Sequence, residues 1–87
     1  MAQYEVSIKV ISQKGTCATE HKVGDEWTLR SKTPEGICLG AFAALYPEAR
    51  ALLFGGSAPW SSDPESVEIA CPDADNPVVF ELRRIRK

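Results

Sequence analysis

Polar and apolar residues alternate from Tyr4 to Ser12. Tyr4, Val6, Ile8 and Val10 fall on one side, and Glu5, Ser7 and Lys9 on the other. A period of two predicts a strand with one buried face. Lys14-Gly15 ends it. Val23-Gly24-Asp25 reads as a turn, because glycine tolerates positive φ and aspartate hydrogen-bonds its own backbone. A short strand follows from Glu26 to Leu29, with Trp27 and Leu29 on one side. The residues from about Thr19 to Val23 are expected to pair with it as a hairpin arm.

The period then changes. Thr33-Pro34-Glu35 carries helix-start chemistry: a capping hydroxyl, a proline suited to the first position, and an acid near the positive end of the dipole. The ten residues I-C-L-G-A-F-A-A-L-Y that follow Gly36 carry no charge. A helix apolar all round is expected to be covered on more than one side. Pro47 is expected to interrupt it. A second short helix is predicted over Glu48 to Phe54, ended by Gly55-Gly56 in a left-handed cap. Ser57 to Ser66 reads as a loop. Alternation returns from Ser66 to Cys71, and Pro72 to Pro77 is turn-rich. From Val78 to Arg86 a last strand places Val78, Phe80 and Leu82 inward and Glu81 and Arg83 outward.

Helices inserted once among strands favour α+β over a doubly wound sheet. The prediction is a single domain over residues 1–87: a small, curved, mostly antiparallel sheet, with a short helical pair inserted between strands and packed on one face. Eighty-seven residues allow one modest core without disulfides. A net charge of −2 argues against a nucleic-acid binder. The basic run Arg83, Arg84, Arg86, Lys87 reads as a solvated strand face. No stretch approaches the ~20 apolar residues that span a bilayer, so no membrane partner is expected. The N-terminus shows no basic segment followed by an apolar one, so no leader is expected either.

Three cysteines, Cys17, Cys38 and Cys71, lie far apart in the chain. Their odd number and low density point to reduced thiols in a cytoplasmic protein rather than a disulfide framework. Cys17 and the only histidine, His21, are four apart, which places them on one face of a helix or a strand. Thiolate and imidazole are good ligands for zinc or iron, and Cys38 and Cys71 are the other soft candidates. Yet no C-x-x-C pair is present. Cys38 falls early in the helix, where amide dipoles favour a thiolate. Each of Cys38 and Cys71 also reads as a small buried hydrophobe. The same spacing lets His21 serve as a base for Cys17 in a small cysteine enzyme, but no G-x-S-x-G elbow or phosphate loop accompanies it. Trp60, in G-G-S-A-P-W, either plugs the core or anchors a partner.

The motifs P-E-G-I-C, L-Y-P, G-G-x-x-P-W and C-x-D-x-x-x-P-V-V-F-x-L-x-R-I, with the segment from Cys17 to Glu26, extend over nearly the whole chain. Together they resemble a family of small bacterial and archaeal proteins of about this length, uncharacterised in function. The resemblance implies a prokaryotic protein with cysteines at the positions of Cys17, Cys38 and Cys71. It supplies no activity, cofactor or catalytic residue, and a histidine near Cys17 is not kept by every member.

The functional expectation is a non-enzymatic, cytoplasmic, thiol-based domain. Cys17, Cys38, Cys71 and His21 would meet to hold one zinc or iron ion, or two of the thiols would oxidise reversibly. The alternative is an interaction module or small homo-oligomer that uses Trp60 and the uncharged helix face to meet a protein partner or a second copy.

Overall fold

A computed structural model describes residues 4–17 and 20–86, and every structural statement below refers to these. Thr19, at the start of the expected hairpin arm, and Lys87, at the end of the basic run, lie outside them. Four strands and one helix follow one another: β1 (Glu5–Gln13), β2 (Glu26–Leu29), α1 (Leu39–Leu53), β3 (Ser66–Ala70) and β4 (Val78–Ile85). The strands form one sheet in the order β2-β1-β4-β3, with every neighbour antiparallel. The fold is α+β. From His21 to Asp25 the chain is loop and turn rather than a hairpin arm.

Alternation decides which face is buried. Val6, Ile8 and Val10 of β1, Leu29 of β2, Val67 of β3, and Val78, Phe80 and Leu82 of β4 all turn to the side covered by α1. From the helix, Ala41, Leu45, Ala49, Leu52 and Leu53 close the core. Arg84 shares the inward parity of Leu82 and is only 8% exposed, so the expectation of a solvated basic face fails at this residue. Its guanidinium pairs with Glu65 at 3.0 Å, lies over the Tyr4 ring and donates to the Gly56 carbonyl. Arg86 lies over the same ring and also pairs with Glu65. A buried charge is tolerated when it is paired in this way.

The expected helical pair is one continuous helix, and Pro47 lies inside it. Proline removes the bond from position 47 to the Ala43 carbonyl. Both residues are on the exposed side of α1, where water can take that carbonyl, while Leu45, Ala49 and Leu52 pack on either side of the lesion. Tertiary packing therefore overrides the local break, which costs about 3 kcal/mol in a free helix. The start is also displaced. Gly36 has φ +90°, outside helical space, so the chain turns at residues 35–36 beside Trp27, and α1 begins at Leu39. The end is as predicted. Gly55 has φ +92° and donates to the Leu52 carbonyl, and Gly56 donates to that of Ala51, the pattern of a Schellman cap.

The uncharged helix is covered on one side only: Leu39 is 84% exposed, and Tyr46 and Phe54 are also exposed.

Candidate functional site: a cleft lined by three cysteines

The three cysteines come from three different connections, and each is held by its own local geometry. Cys17 follows β1. A register shift between Val10 and Ser12 interrupts the β1–β4 ladder, and a bulge of this kind re-aims the strand end. The Lys14 amide then donates to the Pro77 carbonyl, and the Thr16 amide to Asn76 Oδ1 at 2.9 Å. Gly15, at φ +66°, lies so close to Asn76 that an added Cβ would clash with its Oδ1. The segment ending in Cys17 is thus docked on the β3–β4 connection. That connection is itself ordered, because Asp73 Oδ1 accepts from the amides of Asp75 and Asn76.

Cys71 follows β3. Its amide donates to the Val78 carbonyl, and the Val78 amide donates to Cys71 Sγ at 3.3 Å. Cys38 occupies the N-cap position of α1, and its carbonyl accepts the first helical bond, from Phe42. Its own amide donates to His21 Nε2 at 2.9 Å.

These placements bring Cys17, Cys38 and Cys71 to the wall of one cleft of about 210 Å³, together with Ala41, Asp73 and Asn76. Each cysteine is half-buried. Residues more than fifty positions apart in sequence therefore share one small surface, which is mostly apolar with a polar edge at Asp73 and Asn76.

His21 is placed differently. It is 5% exposed and stacks edge-on against Trp27 at 5.0 Å and Phe80 at 6.2 Å. Its Nε2 lone pair is taken by the Cys38 amide, so the ring supports the cleft from behind and is not on its wall. Among the described residues, no three His, Cys, Asp or Glu side chains stand close enough to hold one metal ion. A zinc or iron centre made of all four expected ligands is not assembled. His21 is engaged elsewhere, and a metal would have to draw the cleft walls together, because Zn–S bonds are ~2.3 Å long.

Asp73 appeared only as the fixed acid of the C-x-D motif, and Asn76 was not singled out at all. The signal for them was the turn chemistry of D-A-D-N-P, which marks Asx turns but does not say what the turn supports. Trp60 is 65% exposed and does not plug the core. It borders a shallow groove against Pro47 and Ala51 of α1 and Val67 of β3. No helix among the described residues is long and apolar enough to cross a membrane.

A scan against protein-family models finds none that matches, and searches of curated proteins and of solved structures return no match.

Proposed function

We propose that this protein is a cytoplasmic thiol-based module whose cysteine cleft reacts reversibly with low-molecular-weight disulfides. One observation carries the reading: three cysteines on separate connections line one small cleft. Placement at the head of α1 favours a thiolate at Cys38. In the reaction, a cleft thiolate attacks one sulfur of a small disulfide. A mixed disulfide forms and one small thiol departs. A second cleft thiolate then attacks the cysteine sulfur of that mixed disulfide and releases the second small thiol. The protein loses two protons and two electrons, and the small disulfide gains them as it becomes two thiols.

Mass spectrometry of the native protein after incubation with oxidised glutathione tests this. The expected products are a single glutathionyl adduct and an internal disulfide two hydrogens lighter, both reversed by dithiothreitol. In Cys71→Ser, the internal product should fall or shift to the Cys17–Cys38 pair. A folded chain in which all three thiols stay unmodified, while the urea-unfolded chain reacts at each, would overturn the proposal. Stoichiometric zinc or iron on protein purified without chelator would instead assign the same thiols to metal ligation.

A second reading is favoured by a different observation, the exposure of Trp60 and Leu39 on a chain of this size. Here the protein is an interaction module or small homo-oligomer. Sedimentation of wild type and Trp60→Ala across a concentration series tests self-association, and a monomer throughout removes it.

A further inference from the structure

A second cleft differs from the cysteine cleft in chemical character. A cleft of about 320 Å³ lies between the end of β2, the connection that follows it and the outer face of α1. Its apolar wall is aromatic: Phe42 and Tyr46, with ring centroids 5.8 Å apart, and Phe54. Its polar groups are cationic or hydroxylic. Arg30, Lys32 and Arg50 line it with Ser31 and Thr33, and no carboxylate does. In a chain whose net charge is −2, that is a local reversal of sign.

Arg50 is the best-placed of the three cations. Its Nη1 donates to the Tyr46 hydroxyl at 3.1 Å, and its guanidinium carbon lies 5.3 Å from the centroid of Phe54. The fork is thus held in place by two aromatic side chains. Arg30 spends its Nε on Glu5 at 2.8 Å. Among the described residues, neither Arg50 nor Lys32 has a carboxylate within ion-pair distance.

We infer that this cleft binds a small aromatic oxyanion: a flat ring on the Phe42–Tyr46–Phe54 wall, with its acidic group on Arg50 and Lys32. The volume is within the range of small-molecule sites, and an apolar wall with a few convergent polar groups is their usual make-up. A planar guanidinium matches the two oxygens of a carboxylate or phosphate. The ring supplies area that an inorganic anion lacks. This site is independent of the thiol chemistry, since none of its lining residues borders the cysteine cleft.

Titration of 15N-labelled protein with four probes tests the inference: 2-naphthoate, 2-naphthyl phosphate, neutral 2-naphthylmethanol and inorganic phosphate. At least one of the two aryl anions should saturate, with amide shifts confined to residues 29–33 and 42–54, and the tighter of the two identifies the head group. Arg50→Gln should weaken that binding about tenfold, the scale of one charge-assisted hydrogen bond. Lys32→Gln should weaken it less, and Cys71→Ser should leave it unchanged. Arg50 is exposed, so the variant is expected to melt like wild type. The inference is overturned if neither aryl anion binds. It is equally overturned if naphthylmethanol or inorganic phosphate binds as tightly as the aryl anions, or if Arg50→Gln and Lys32→Gln both bind like wild type.

Discussion

His21 stands one hydrogen bond behind the cleft that the three cysteines line. Its imidazole fills space between Trp27 and Phe80 and accepts the Cys38 amide at the start of α1. In the neutral ring, an accepting Nε2 leaves the proton on Nδ1. Removing the ring opens a cavity and deprives a part-buried amide of its acceptor. His21→Ala should therefore cost about 2–4 kcal/mol in urea unfolding, from the sum of the two losses. His21→Gln, which can return an acceptor to the same amide, should cost less than His21→Ala. The sequence alone offered a histidine four residues from a cysteine and suggested a shared ligand. It could not reveal that the ring turns inward. That depends on Trp27 and Phe80, one on each of two strands that do not pair with each other, forming the pocket it enters.

At the scale of the element, strands were legible and the helix was half legible. Period-two alternation named Val6, Ile8, Val10, Val78, Phe80 and Leu82 as inward, and all six are buried. The same parity, carried one step further, would have placed Arg84 inside; its charge argued otherwise, and Glu65 and Tyr4 decide the matter from distant parts of the chain. For the helix, Gly55-Gly56 announced its end, whereas Pro47 and Thr33 misled. Both were judged by local preference, but α1 is held by its contacts with the sheet and displaced at its start by the turn at Gly36. Pro47→Ala is accordingly expected to raise stability. It restores a hydrogen bond to Ala43 on an exposed face, and the gain should exceed the small loss from a more flexible unfolded chain. A net rise of about 1–2 kcal/mol in thermal or urea unfolding is expected. No rise would mean that α1 is bent at this point to fit the sheet. The three cysteines were legible as candidates, but their meeting was not, because it arises from the Gly15–Asn76 contact, the β1 bulge and the position of α1 together.

For the molecule as a whole, acid should remove one surface contribution to stability. The Asp63 carboxyl is held below its ordinary range, first by the Glu65 amide and further by the Arg83 guanidinium. A carboxyl whose value is depressed on folding contributes stability above its unfolded value, and loses it as pH falls through the folded one. The unfolding midpoint should thus decline from about pH 5 downward, and Asp63→Asn should flatten that decline. An unchanged slope in the variant would place the acid sensitivity elsewhere. A different whole-molecule property follows from the strand order. Of the four described strands β4 comes last in sequence, yet it lies between β1 and β3 and pairs with both. In the sheet, β1 and β3 share no ladder and are joined through β4. The segments that carry Cys17 and Cys71 leave from β1 and β3, so the cleft they line is seated across β4, and loosening Val78 to Ile85 would part its walls.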